Sequence, residues 1–161
     1  MKLLNESEGL LQEEGIKIQM EDKKMAVIDE LIREEENGAL SFGNYALAAK
    51  TKKDGFEYNG DLYKIKTFKE ITKLEKNGLF VYESVPGTVV HNFMATDKLV
   101  VMDIEGTENS QVTLELEAEK EYKVHIGGIY VGKMKTNLGG KLNLSVELEL
   151  DKRVNVQIEK I

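Results

Sequence analysis

The sequence contains no cysteine and no tryptophan, and it has only two arginines and two histidines among 161 residues. Without cysteine the chain cannot form disulfides, thiolate nucleophiles, iron–sulfur clusters or cysteine-ligated zinc sites. A metal site would require both His91 and His125, together with carboxylates. Polar and apolar residues alternate around each histidine, which is more typical of surface or edge positions in strands. We therefore expect no metal and no cofactor.

Sequence motifs of catalysis are also missing. No segment has the spacing G-x-x-x-x-G-K-[ST] of a phosphate-binding loop, and no serine lies in G-x-S-x-G. The 29 acidic residues make some close carboxylate pairs unavoidable, so a glycosidase-type pair stays open but has no specific support. We assign no catalytic residue. The sequence favours a protein that is not an enzyme, without excluding an enzyme.

Long apolar runs are absent as well. The N-terminal residues MKLLNESEGLLQEEG lack the apolar stretch of about 7–15 residues that a signal peptide needs. No segment approaches the roughly 20 apolar residues that span a bilayer. We expect a soluble, cytoplasmic protein with no membrane partner. The apolar content of 41% is enough for a core without disulfide or metal staples.

The net charge of −7 is distributed unevenly. Residues 1–37 have five basic and eleven acidic side chains, whereas residues 38–94 have eight basic and six acidic ones. An acidic chain repels phosphate backbones, so we expect no nucleic-acid partner. The short lysine-rich stretch at residues 50–53 is predicted to be a solvated edge or turn.

Residues 1–38 are predicted to form an N-terminal arm with an amphipathic helix over about residues 22–36. Asp22 is suited to the N-cap, and Asn37-Gly38 is a typical helix stop. The apolar face of this helix comprises Met25, Ile28, Leu31 and Ile32. It could cap the core of its own chain, or it could pack on a neighbouring subunit. We take these four residues as the candidate interface of a homo-oligomer.

Residues 39–94 read as an aromatic-rich β-region. Its clearest element is the hairpin GFEYNGDLYKI, because Asn59-Gly60 suits a two-residue turn in which both residues have positive φ. This register places Phe56 opposite Tyr63 and Tyr58 opposite Asp61.

One short central helix is predicted in TFKEITKLEKNG. Thr67 and Glu70 match a capping box, and Phe68, Ile71 and Leu74 recur at helical spacing. The competing interpretation is a pair of strands that turns at Asn77-Gly78.

The tyrosines of the central region are candidate ligand-stacking residues. These are Tyr45, Tyr58, Tyr63 and Tyr82. Exposed, they could stack on sugar rings or contact a protein, whereas on the inner face of a sheet they would belong to the core.

Residues 95–161 contain five regular strand candidates, namely QVTLELE, EYKVHI, IYVGKMKT, KLNLSVELEL and VNVQIEKI. Strands at such even spacing indicate a β-sandwich. The segment LELEAEKEYKVHI resembles the fibronectin type III and immunoglobulin-like pattern L-x-P-x-T-x-Y-x-V-x-V, with Ala118 and Lys120 in place of Pro and Thr. The resemblance implies that Tyr122 forms a tyrosine corner, whose hydroxyl bonds back to the chain upstream. The overall prediction is a mainly β fold, immunoglobulin-like in its C-terminal part.

The chain also resembles small bacterial proteins, some of them labelled endosialidase. The similarity lies in FGNYALAAKTK, GDLYKIKTFKEITKLEKNGLFVYESVPGTVVHNF and KTNLGGKLNLSVEL. Sialidases typically hold the sugar carboxylate with three arginines. This chain has only Arg33 and Arg153, and it has no S-x-D-x-G-x-T-W box.

The leading functional hypothesis is a non-catalytic structural or assembly subunit that self-associates through its N-terminal arm and its sheet edges. The first alternative is a β module that binds carbohydrate or another protein through the tyrosines. The second is a glycan-processing enzyme like the proteins labelled endosialidase.

Overall fold

The computed structural model describes residues 27–161, and within this range the chain forms strands and turns without any helix. The strands are β1 (Ile32–Glu34), β2 (Leu40–Phe42), β3 (Thr51–Tyr58), β4 (Asp61–Phe68), β5 (Ile71–Lys76), β6 (Leu79–Val85), β7 (Val89–Ala95), β8 (Leu99–Glu105), β9 (Ser110–Glu115), β10 (Glu121–Ile126), β11 (Ile129–Lys135), β12 (Lys141–Val146) and β13 (Val154–Lys160). The prediction of a mainly β protein is confirmed.

The strands form two sheets in which every hydrogen-bonded pair is antiparallel. The first sheet has seven strands in the order β1-β2-β7-β8-β13-β10-β11. The second has six in the order β12-β9-β6-β5-β4-β3. Strands β3 to β6 follow one another as consecutive hairpins and make up most of the second sheet.

One hydrophobic core joins the two sheets. Its fully buried members include Ile65 and Leu74 of the six-stranded sheet, and Met102, Ile104 and Ile158 of the seven-stranded sheet. Full burial of a side chain of this size contributes about 1.5–3 kcal/mol to folding. Because buried side chains of both sheets share one core, the two sheets pack face to face as a sandwich.

The hairpin predicted around Asn59-Gly60 is confirmed in detail. Strand β3 pairs with β4 in the expected register, with Phe56 opposite Tyr63. Asn59 and Gly60 have φ values of +49° and +81°, as the two-residue turn requires.

The predicted central helix is wrong, and the competing strand pair is correct. The chain turns after Phe68, continues as β5 and turns again at Asn77-Gly78. The Thr67 hydroxyl does not cap a helix, because it accepts a hydrogen bond from the backbone N–H of Asn44 and bonds to the Thr72 hydroxyl. The spacing of the apolar residues fits both a helical and a strand period. Burial of Thr72 and Leu74 on one face of β5 is what selects the strand.

The predicted N-terminal helix is wrong for residues 27–36, while its first part, with Met25, lies outside the described residues. The N–H of Leu31 donates to the carbonyl of Ile28 (2.9 Å), and Leu31 has a φ of +73°, which ends any helical path. The chain then enters β1, where Ile32 lies opposite Phe42. Pairing with β2 satisfies backbone groups that a helix would have satisfied internally.

The strands predicted in the last third are found, but they do not close a sandwich of their own. Strands β9 and β12 belong to the six-stranded sheet, and β10, β11 and β13 belong to the seven-stranded one. The predicted boundary at 94/95 falls inside β7, and the one at 38/39 falls inside the β1–β2 hairpin. The central and C-terminal segments thus share both sheets and the core.

Tyr122 makes the upstream hydrogen bond that the tyrosine-corner pattern predicts. Its hydroxyl oxygen accepts from the backbone N–H of Glu117 at 3.2 Å, and its ring is buried. The bond fastens the β9–β10 connection to β10.

Candidate functional site

A cavity of about 410 Å³ opens between the two sheets at one end of the sandwich. The turns at Asn59 and Asn77 lie at its mouth, Phe93 and Val100 line it from the seven-stranded sheet, and Leu114 lines it from the six-stranded sheet. Its size falls within the range of about 300–1,000 Å³ that is usual for small-molecule sites. This cavity is the candidate functional site.

Tyr58 and Tyr63 form an aromatic wall of the cavity. They are cross-strand neighbours in the β3–β4 hairpin, and their ring centroids lie 5.6 Å apart with an interplanar angle of 68°. The Tyr58 hydroxyl donates to the carbonyl of Gly38 at 2.5 Å, which holds its ring in place. Tyr63 is buried (7% exposed) and belongs to the hydrophobic core, so it backs the wall, and the half-buried Tyr58 presents the more accessible ring. Burial, followed by the charge of Asp61, raises the pKa of the Tyr63 phenol.

Polar groups stand beside the aromatic wall. The Asn77 amide donates to the Asp61 carboxylate at 2.8 Å, and the ammonium of Lys76 lies 3.3 Å from it. These two contacts, the Asn77 hydrogen bond first, lower the Asp61 pKa, so this carboxylate is ionised at neutral pH. The Asn77 side-chain oxygen also accepts from the N–H of Leu62, which ties the two turns together.

A second polar group, Glu115 on β9 of the same sheet, also lines the cavity. Its carboxylate lies 3.1 Å from the ammonium of Lys141, and that ammonium lies 3.4 Å from the centroid of the Phe80 ring. This arrangement fixes Phe80 at the cavity by a cation–π contact. The exposed side chain of Leu79 (67%) completes the rim.

A neighbouring cavity of about 450 Å³ shares Ala95, Val100, Glu115 and Leu116 with the first. Tyr122 and the ion pair of Lys160 with Glu117 lie on its far side. Because they share these four residues, the two cavities lie side by side at this end of the sandwich, and together they are termed the depression.

Of the four candidate tyrosines, the structure brings two together. Tyr58 and Tyr63 share the cavity. Tyr82 is fully buried in the core, where burial raises its pKa to about 12 and its hydroxyl bonds to Thr88. Tyr45 packs against a small cluster that includes Val89, away from the cavity.

The candidate interface residues that the structure describes pack within their own chain. Ile28 and Ile32 are fully buried, and Leu31 packs against the main core. Sequence reasoning did not single out Phe80 or Asp61 as site residues. The second Asn-Gly turn was the available signal, because it indicates that another hairpin ends beside the first.

The histidines lie outside the cavity. His91 is buried rather than on the surface, and its Nε2 lies 3.3 Å from Glu105, whose other oxygen accepts from Arg153 Nε at 3.1 Å. His125 is half-buried, with its ring 5.3 Å from that of Tyr130. Within residues 27–161 no group of three or more His, Asp and Glu side chains could hold a metal ion.

No protein-family model, curated protein or solved structure matches this chain. In the part of the chain that the structure describes, no helix has the length and apolar character needed to cross a membrane. A fold alone does not indicate a function, which resides in the geometry of the site.

Proposed function

We propose that this protein is a binding module whose end cavity holds a carbohydrate. The observation that carries the proposal is the aromatic wall of Tyr58 and Tyr63 beside the polar pair of Asp61 and Asn77. A sugar presents C–H groups on one face and hydroxyls at its edge. The Tyr58 ring, backed by the buried Tyr63, offers an apolar surface for the face, and the carboxylate and amide offer hydrogen-bond partners for the edge.

The presence of two adjacent cavities favours an oligosaccharide over a single sugar. A ligand that extends from the first cavity into the second would pass Glu115 and reach the Lys160–Glu117 pair. Each end of the depression therefore has charged groups that could order hydroxyls, with apolar Val100 and Leu116 between them.

A glycan array with the full-length protein, followed by calorimetry on the hits, tests the proposal. We expect Tyr58→Ala to weaken binding by about 1 kcal/mol or more, since an aromatic contact of this kind is lost. Leu79→Glu should weaken it as well, because it adds another negative charge beside Asp61 and Glu115 without disturbing the core. Leu62→Ala is the matched control, because Leu62 is exposed (51%) on the other face of the same hairpin.

Thermal unfolding of each variant separates lost binding from lost folding. The proposal fails if no glycan binds at millimolar concentration, or if hits bind Leu79→Glu and Tyr58→Ala as tightly as the natural sequence.

Self-association through a sheet edge is the second candidate function. Strand β11 is the last strand of the seven-stranded sheet, and Ile129, Tyr130 and Val131 on it are 68%, 50% and 45% exposed. Exposed apolar residues on an edge strand favour pairing with another chain. The buried positions of Ile28 and Ile32 give no support to association through the arm.

Light scattering after size exclusion tests this second candidate. An assembly should dissociate in Val131→Lys, whereas Leu150→Lys, at an exposed position outside the strands, should leave it intact. A single species of about 18.2 kDa at every concentration would refute self-association.

A further inference from the structure

The outer face of the six-stranded sheet carries a row of three lysines. Lys52 of β3 lies directly opposite Lys66 of β4, and Lys66 lies directly opposite Lys73 of β5. Adjacent strands are about 4.8 Å apart, so the row runs across the sheet with short spacing. Lys50 and Lys64 lie near Lys66 and add to the positive potential there.

This arrangement is electrostatically unfavourable for the isolated chain. Like charges directly opposite one another destabilise a sheet. The ammonium of Lys52, followed by burial and the other lysines, lowers the Lys66 pKa. The Lys73 ammonium lies 3.5 Å from Glu75, and Lys73 is directly opposite Glu83 of β6. Lys64 is directly opposite Glu75. Within residues 27–161, Lys52 and Lys66 make no ion pair. The concentration of positive charge also contrasts with a net charge of −7.

Protection of the sheet edge explains only part of the row. Strand β3 is the last strand of its sheet, and lysine on an edge strand discourages unwanted pairing. Lys66 and Lys73 lie on β4 and β5, which have hydrogen-bonded neighbours on both sides. These two positions have no edge to protect, so edge protection does not account for their lysines.

We propose that this face binds an acidic, extended segment of a partner protein, which adds as a strand along the open edge of β3. Acidic side chains on alternate residues of such a segment would face the same side as Lys52 and extend the row with opposite charge. The backbone of β3 supplies hydrogen bonds, and the lysines supply selectivity for acidic sequences.

Two further features favour a protein segment over a nucleic acid. Phe68 and Ile71, opposite one another on this same face, are half-buried and offer apolar contact beside the lysines. Both arginines of the chain, which suit bidentate phosphate recognition, lie elsewhere: Arg33 is in β1 and Arg153 directly precedes β13.

Fluorescence anisotropy with two labelled, strand-length peptides tests the proposal on the full chain. One peptide alternates Glu and Thr, and the other alternates Lys and Thr. We expect only the acidic peptide to bind, more weakly at higher salt. Lys66→Glu should weaken binding about tenfold. Lys123→Glu, an equal charge change on β10 of the other sheet, should not.

Folding does not confound this test, because Lys66→Glu replaces a repulsion by an attraction and should unfold at a temperature no lower than the natural sequence. No binding of the acidic peptide at millimolar concentration and low salt would overturn the proposal. Equal loss in the Lys123→Glu control, or tighter binding of a short DNA duplex than of the peptide, would overturn it too.

Discussion

Replacing Thr88 by valine tests the buried polar network that supports the six-stranded sheet from inside. The Thr88 side-chain oxygen lies 2.8 Å from the Tyr82 hydroxyl and 2.7 Å from the Ser84 hydroxyl, and all three residues are fully buried. Valine has nearly the shape of threonine but no hydroxyl. The substitution therefore keeps the hydrogen bonds between the Thr88 backbone and the Thr72 hydroxyl, and it removes only the side-chain hydroxyl of Thr88.

The expected cost follows from the two hydrogen bonds that are lost. The Tyr82 and Ser84 hydroxyls each lose a buried partner, at a cost of about 1–3 kcal/mol each, so we expect Thr88→Val to lower the free energy of unfolding by about 2–6 kcal/mol. Tyr82→Phe alone should cost about 1 kcal/mol, because Ser84 still serves the Thr88 hydroxyl. The double variant should cost less than the sum, since phenylalanine has no hydroxyl left to satisfy.

Urea unfolding followed by circular dichroism measures these differences. Thr113→Val is the control, because the Thr113 hydroxyl bonds to Asn143 on the solvent side and its loss should change stability by no more than about 0.5 kcal/mol. If Thr88→Val is as mild as this control, or if the double variant is additive, the hydroxyls do not act as a network and the reasoning is wrong.

Two other substitutions have definite expected outcomes. Burial opposes ionisation of Glu105, but the hydrogen bonds and charges of His91 and Arg153 outweigh it and hold its pKa below the ordinary value of 4.5. Its contribution is therefore fully present above pH 4.5 and is lost as the pH falls below that value through the lowered pKa of the folded state. Glu105→Gln should cost about 1–2 kcal/mol at pH 7 and progressively less below pH 4.5 in urea unfolding. A cost that does not change with pH would contradict this. Tyr122→Phe removes the hydrogen bond from the Glu117 N–H and should cost about 0.5–1.5 kcal/mol, with hydrogen exchange at that amide accelerated. Unchanged exchange would show that this bond does not fasten the β9–β10 connection.

Strands and turns were predictable wherever the turn residues and the alternation of polar and apolar residues indicated the same structure. Asn59-Gly60 needs two residues with positive φ, and the alternating residues around it can pair in only one register. The strands of the last third follow from the same alternation. In TFKEITKLEKNG the two signals disagreed, because the apolar residues at 68, 71 and 74 also match a helix. Only packing of Thr72 and Leu74 into the core resolved that segment.

The sequence by itself determined the strand character of most of the chain, the main hairpin turns, and the aromatic face that Tyr58 and Tyr63 share. Only the tertiary structure decided that Tyr82 is enclosed by the core, whereas Tyr63 belongs to the core and also borders a cavity. Tyr82 and Tyr63 have the same alternating pattern, but β6 lies in the interior of its sheet, whereas the β3–β4 hairpin ends at the sandwich mouth. Alternation specifies the face of a strand that is apolar. It does not specify which strand packs opposite that face, because that partner is set by contacts between residues far apart in the chain.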